Sequence, residues 1–483
     1  MDPHPCTEIR LVPYPPRAYD EHNGLLTEQL ITRAPTTPAN VHQQKYQYDL
    51  VGNLTRQTTN RLAGGVSETQ CFNYDGLRRL TEAWTGTDNC AVTPTETSRS
   101  TIGNTIGYSS AYWTSWAFDD LGHRTSQIER SLTGGTDTTT TYKYDENGKN
   151  QPHTLTSTGT TGGRTGSTSY AYDVAGNTTS RTTSTGTQTL DWNHAGKLAS
   201  VTTPTGSSTN VYSHTGDLLL EKNPGNVTLY LGSQQFTLDT STNAVTGTRY
   251  YSLPGGGSVI RNGASYSFAL PDLHGTPDFY LNNTAQTPTW RQYTPYGDRR
   301  GVTIEIPDNR GFLNKTLNST TGLIQVGARQ YDSTIGRFIS LDPIQDLAVP
   351  QQWNGYAYAN NSPTAFSDVT GLNWDWNPGG GSGGSGTSSP PAESGKTGSS
   401  STERYTKTIA ADGLSMIKGS WEGIVTQASC APLVLLRRLV ASERAESFAV
   451  VGSSGAVVAT SSEVRPGQGM LGGVLRGQDQ DGE

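Results

Sequence analysis

The chain has no apolar run approaching the ~18–20 residues that a membrane-spanning helix requires, so no membrane span is expected. It has no basic surplus either. With 35 Lys and Arg against 42 Asp and Glu, the net charge is −7 over 483 residues, which argues against an electrostatic grip on nucleic acid. Only 16% of residues are charged, and Ala-, Leu- and Glu-rich stretches are scarce before residue 405, so few helices are expected. The opening "MDPHPCTEIRLVPYPP" places Asp and Pro where a secretory signal would carry basic and then apolar residues. The expectation is a chain that is intracellular at synthesis, exported by a non-classical route, or part of a longer polypeptide. Cysteine is limited to Cys6, Cys71, Cys90 and Cys430. None is spaced as a zinc ligand, so neither metal nor cofactor is expected.

What is abundant is Thr, Ser, Gly and Tyr, a mixture that favours strands and turns. These residues recur in units: "YQYDLVGNLTRQTT" from Tyr46, "FNYDGLRRLTEAWT" from Phe72, "WAFDDLGHRTSQIE" from Trp116, "YKYDENGKNQPHTL" from Tyr142, "YAYDVAGNTTSRTT" from Tyr170 and "LDWNHAGKLASVTT" from Leu190. A degenerate member starts at Val211. The aromatic-x-aromatic start puts two rings on one face of a strand. The Asp that follows, with Gly three residues on, supplies turn chemistry, and a Thr-rich strand returns. Each unit predicts a β-hairpin that is unstable alone, so successive units must pair into a continuing sheet. Cys71 and Cys90 flank one hairpin and are either a disulfide or two partly buried thiols. His123, His194 and His214 fall at turn positions expected to face solvent, without a catalytic or metal role.

The aromatic-Asp-x-x-Gly units resemble the YD repeats of the Rhs (rearrangement hot spot) family. Its relatives include teneurin extracellular shells and the C components of bacterial Tc toxins. The resemblance, over residues 40 to 372, implies a mainly β fold in which a hairpin ribbon winds into part of a hollow shell. It also implies a bacterial source and a polymorphic-toxin or cell-surface role. The expected order is an irregular segment 1–40, repeats over 41–247, a repeat-associated core over 248–372, a Gly/Ser/Pro-rich linker over 373–402 and a variable tail over 403–483.

The core expectation rests on "TTGLIQVGARQYDSTIGRFISLDPI" followed by "NGYAYANNSPTAFSDVTGL". Together they resemble the GL…aRxYDxxxGRFxSxDPI and terminal DPxGL motifs of the Rhs-associated core. In relatives that core is an aspartyl-type autoprotease, which cuts after the Leu of DPxGL and leaves the following segment enclosed. The resemblance maps Arg329 and Asp342 onto the catalytic arginine and aspartate, and Asp368 onto the aspartate of the terminal motif. The expected cut lies between Leu372 and Asn373. Paired carboxyls beside an arginine suit this chemistry, because two nearby acids cannot ionise equally and a guanidinium can hold one charged. Position 369 is Val where the family has Pro, which removes a fixed φ next to the cut. Asp332 reads as a turn residue.

The linker "NPGGGSGGSGTSSPPAESGKTGSSST" cannot bury a core. After it, "CAPLVLLRRLVASERAESFAVV" could begin as a short helix, and "FAVVGSSGAVVAT" reads as strand, turn, strand, giving a small α/β tail. The tail contains no His, which speaks against His-dependent nuclease and zinc-deaminase chemistry. On the resemblance, the partners are the chain's own C-terminal segment as cargo and an immunity protein. Two alternatives stay open. The repeats could be a non-enzymatic module binding carbohydrate or a cell-surface ligand, or the chain could be an inert fragment, with Arg329 and Asp342 a structural ion pair.

Overall fold

The structure is a computed structural model and describes residues 17–33, 39–107, 110–146, 148–253, 256–284, 286–344, 348–372, 375–376, 449–451 and 457–460. Its dominant element is one mainly antiparallel β ribbon of 23 strands, from Arg17–Tyr19 to Pro288–Trp290. Each strand pairs with the next in sequence, so the ribbon is a continuous meander.

The repeat motif builds this ribbon by local chemistry. In the first unit, Asp49 Oδ1 accepts the backbone N–H groups of Val51 (3.0 Å) and Asn53 (2.8 Å), and Gly52 takes φ +85°. The same i+2 and i+4 pattern recurs at Asp75, Asp119, Asp173 and Asn193. At each of these turns the strand pairing slips by one residue before the second aromatic of the motif, as between Gln47 and Tyr48. That bulge turns the second ring toward the preceding hairpin. Tyr48 donates its hydroxyl to Leu26 O, Tyr74 to Leu54 O, Tyr144 to Arg124 O, Tyr172 to Leu155 O and Tyr212 to Leu198 O, over 2.6–3.0 Å. Trp192 does the same through Nε1 to Thr178 O. Each unit is thus tied to its predecessor, while the first aromatics, Tyr46, Phe72, Trp116 and Tyr142, are buried. Phe118 has no hydroxyl and instead lies under the Arg79 guanidinium, 5.1 Å from its ring centroid.

The ribbon exceeds the expected repeat region at both ends. Strands Arg17–Tyr19 and Leu26–Thr32 fall within the segment expected to be irregular, because Leu26, Gln29 and Ile31 put buried side chains on one face. At the other end the meander runs past residue 247 to Trp290, and Asp272 rebuilds the repeat turn with its oxygen on the amides of His274 and Thr276. The first and last strands pack together: Ile31 and Val41 join Phe268, Leu270, Phe279 and Leu281 in one apolar cluster. Gln29 Nε2 donates to Pro271 O, and Gln44 Nε2 to Asp278.

Residues 292–372, the part of the expected core that follows the ribbon, contain a four-stranded sheet from Thr316–Leu317 to Arg337–Phe338. Its centre is aromatic, with Phe312, Tyr331, Phe338 and Tyr358 in mutual contact and almost fully buried. Long-range polar contacts fasten it to the ribbon. Arg181 pairs with Asp332 at 2.6 Å, Lys197 Nζ donates to Ala328 O, and Arg300 forms a buried ion pair with Glu68. Asp332 also accepts from the amide and hydroxyl of Thr334, so it is a turn residue and an ion-pair partner together.

Cys71 and Cys90 form a disulfide that ties strand Val66–Tyr74 to the loop following its hairpin. Within 373–402 only Asp375–Trp376 is described, as a strand paired with Phe366–Ser367. Asn373 and the rest of the linker lie outside the described residues. In a second compact unit, the tail contributes the antiparallel pair Ala449–Val451 and Val457–Thr460. The expected tail helix lies outside the described residues.

Candidate active site

Two glycines bring the two halves of the core motif together. Gly327 (φ +52°) precedes Arg329, and a Cβ there would sit 2.0 Å from Thr370 O. Gly371 (φ +66°) precedes Leu372, and its Cβ would sit 2.2 Å from Val326 O. Only glycine permits this reciprocal approach in the left-handed region, and the segments are joined by Ala328 N donating to Thr370 O at 2.8 Å. Val369, where the motif it resembles carries Pro, packs against the aromatic cluster of the core. Apolar burial therefore anchors this position where a ring would have fixed φ.

Arg329, at the start of strand Arg329–Asp332, is buried and extends through this junction. Its Nη2 lies 2.8 Å from Asp342 Oδ2 and 2.9 Å from Asp368 Oδ2. Nε donates to Gly371 O (2.6 Å) and Nη1 to Gly355 O (2.8 Å). The guanidinium carbon stands 3.5 Å from the Phe338 ring centroid, a stacking that holds the plane of the fork. The three residues assigned from the motif are thus one cluster, although 39 positions separate Arg329 from Asp368.

The two carboxyls are placed unequally. Burial pushes Asp342 up to about 6, against the opposing pull of Arg329 and of the Ile344 amide on Oδ1. Burial also raises Asp368, against Arg329 and the amides of Leu372 and Gly371. Asp342 stands at the more open side of a small cleft of about 20 Å³, room for about one water. Arg329, Asp342, Asp368 and Leu372 all line it. Leu372 N donates to Asp368 Oδ1 at 3.2 Å, which places the peptide just before the expected cut beside one acid. Asn373, on the far side of that bond, lies outside the described residues. Among the described residues, no group of three or more His, Cys, Asp or Glu side chains is placed to hold a metal.

Sequence reasoning did not single out Gly355, whose carbonyl accepts from both Arg329 Nη1 and the Asp342 amide (3.0 Å). Nor did it find Phe338, although the "GRF" of the motif carries it. The expectation for His123 is corrected. It is 3% exposed, because as the last residue of its turn it immediately precedes the returning strand Arg124–Glu129 and stacks on Tyr144. His194 and His214 are exposed, as expected.

No family model matches the chain. Among curated proteins, it is 31% identical over 123 residues to the tRNA3(Ser)-specific nuclease WapA of Bacillus spizizenii, covering 25% of this chain and 5% of that one. It is 30% identical over 154 residues to salivary gland surface protein 1 of Aedes aegypti (31% and 4%) and 32% identical over 109 residues to the tRNA nuclease WapA of Bacillus subtilis (22% and 5%). The chain therefore matches about 5% of the length of these relatives. Among solved structures, the TcdB2-TccC3-Cdc42 crystal structure aligns with 74% of this chain and 20% of its own at 17% identity, with a TM-score of 0.48. A Photorhabdus luminescens Tc holotoxin pore aligns with the same shares at 17% identity and a TM-score of 0.47.

Proposed function

We propose that the chain is an Rhs-type repeat shell protein whose core segment cuts its own backbone after Leu372, releasing the C-terminal segment as a separate cargo chain. The observation supporting this reading is the convergence of Arg329, Asp342 and Asp368 on a cleft that Leu372 also lines. Water in the cleft attacks the Leu372 carbonyl carbon while an ionised carboxylate takes its proton. The protonated partner carboxyl delivers a proton to the Asn373 amide nitrogen as the C–N bond breaks, leaving a Leu372 carboxyl and an Asn373 amine. Asp368, with two amides and Arg329 on it, suits the ionised role, and Asp342, pushed up to about 6, suits the acid. Arg329 holds both carboxyls in register and supplies fixed positive charge as the tetrahedral oxyanion develops.

The cargo role, an immunity partner for the tail and delivery to the secreted or cell-surface compartment belong to the same proposal. Nuclease activity, which the WapA names record for those proteins, is not extended to this tail, since all eight histidines lie at or before His274. The test is intact-mass analysis of the purified chain beside Asp342→Ala. A fragment beginning at Asn373, present in the parent and absent from the variant, is expected; an uncut parent chain overturns the reading.

A second reading has its own support. Arg329 hydrogen-bonds Gly355 and Gly371 as well as both acids, enough to make the cluster a structural clasp without cleavage. In that case both chains run uncut and Asp342→Ala lowers only stability.

A further inference from the structure

The carbonyl of Gly355 holds both Arg329 Nη1 and the Asp342 amide, so whatever fixes Gly355 fixes the geometry of the candidate site. Its neighbour Asn354 is buried and donates Nδ2 to the carbonyl of Gly122 at 3.0 Å; Asn361 donates to the same oxygen at 2.9 Å. Gly122 is the left-handed glycine of the ribbon turn Asp119–His123.

That turn holds a side-chain relay found in no other repeat unit among the described residues. Asp119 Oδ2 lies 2.8 Å from His123 Nδ1, and His123 Nε2 lies 2.8 Å from His153 Nδ1 in the next hairpin. The carboxylate fixes a proton on His123 Nδ1, so Nε2 accepts and His153 Nδ1 donates. The groups facing the pair are Asp119, Tyr144 stacked on His123 at 4.3 Å, and Arg337, which donates to His153 O at 2.7 Å. Arg337 also lies over Tyr144 and Tyr356. One extra proton is tolerated, because one ring stays neutral and its nitrogen still accepts across the His–His bond. A second places two N–H groups and two positive charges face to face beside Arg337, where no acceptor remains between them.

We propose that the turn Asp119–His123 is a positioning element for the Arg329–Asp342–Asp368 site, and that double protonation of His123 and His153 disengages it in acid. The consequence for cleavage rests on the self-cutting reading; the positioning itself does not. Burial, mutual repulsion and Arg337 lower the pKa of His153, and burial and Arg337 lower that of His123 against Asp119. Sign follows from this. The unfolded imidazoles bind protons first, so the relay's contribution is present above their ordinary value of about 6.5 and is lost as pH falls below it.

The experiment is hydrogen–deuterium exchange of the full chain at pH 5 and pH 7.5, corrected for intrinsic chemical exchange. The parent is compared with His153→Gln, which can hydrogen-bond but cannot charge. Amides in the peptide spanning Asp342 should exchange about tenfold faster at the lower pH in the parent and respond far less in the variant. His153→Phe, which keeps a ring and does not titrate, should lose the pH response as well, covering the case in which the Gln variant does not fold. Because Asp342 itself titrates in this window, the difference between chains is the quantity read. An equal response in parent and variants overturns the proposal, and so does Asn354→Ala with unchanged protection. Intact masses of the same samples separate the two readings. An uncut chain with a relay-dependent response overturns self-cutting alone, and a cutting chain with a relay-independent response overturns the relay alone.

Discussion

A ribbon turn and the core site use the same small device for different ends. At Asp49 a carboxylate oxygen accepts the amides two and four residues on. In the core, Asp342 accepts the amide two residues on and Asp368 the amide four residues on. The difference is what else reaches the carboxyl. Asp49 adds only the side chain of its own turn residue Asn53. The core acids, Asp368 buried and Asp342 half-buried, share a guanidinium brought from strand Arg329–Asp332. Turn chemistry alone shapes the backbone; crossed by a distant arginine, it becomes a pair of acids that share one guanidinium and are both raised by desolvation.

The largest expected effect comes from removing what distinguishes the core. Arg329→Ala leaves buried Asp368 and half-buried Asp342 without their cation and should lower stability by about 3–5 kcal/mol, read by denaturant unfolding. Reducing the Cys71–Cys90 disulfide, which spans 19 positions, should cost about 3 kcal/mol in a chain-entropy account, seen as a lower midpoint with reductant. Gly371→Ala puts a Cβ against Val326 O and should cost about 1–3 kcal/mol while suppressing the Asn373 fragment. Asp49→Ala, the matching change in the ribbon, should cost only about 1 kcal/mol, because its bonds are local and solvent can replace them. A cost for Asp49→Ala as large as that for Arg329→Ala would erase the contrast.

A pH series sharpens the same comparison. A carboxyl raised by burial stabilises fully below its unfolded value, and the contribution is lost as pH rises through the folded one. For Asp342, with a folded value of about 6, the parent should lose stability relative to Asp342→Asn between about pH 4 and 6. Asp272 tests the role of burial within the ribbon. It is a repeat-type turn Asp, yet it is half-buried, and desolvation pushes its carboxyl well above the usual range against the amides of Thr276 and His274. Asp272→Asn should therefore behave like Asp342→Asn, the parent losing stability relative to the variant as pH rises above about 4.

The local parts of this fold were legible. Alternating rings, the Asp and the Gly three residues later dictate a hairpin without reference to the rest of the chain. The hydroxyl ties from Tyr48, Tyr74 and Tyr172 were not, because the ring's use depends on a bulge and on a carbonyl one hairpin earlier. The site was legible only as a motif resemblance placing Arg329, Asp342 and Asp368. No spacing rule predicts that 39 residues fold back to set Asp368 on Arg329. Gly355 and Asn354 were invisible because their roles are those of a backbone carbonyl and an amide reaching the ribbon. His123 was misplaced because a turn's last residue reads as exposed unless its partners in the next hairpin, Tyr144 and His153, are known.

The meander also sets how the molecule answers to force. Strands paired only with their neighbours in sequence peel one hairpin at a time when the ends are pulled, each release lengthening the chain by about 60–70 Å for roughly 20 residues. The contacts of Gln29 with Pro271 and of Gln44 with Asp278 join the first strands to the last across more than 230 positions. Tension between the ends therefore meets the contacts that fasten residues 292–372 to the ribbon, such as Arg181 with Asp332, and then that seam, before the hairpins enclosed by it are loaded.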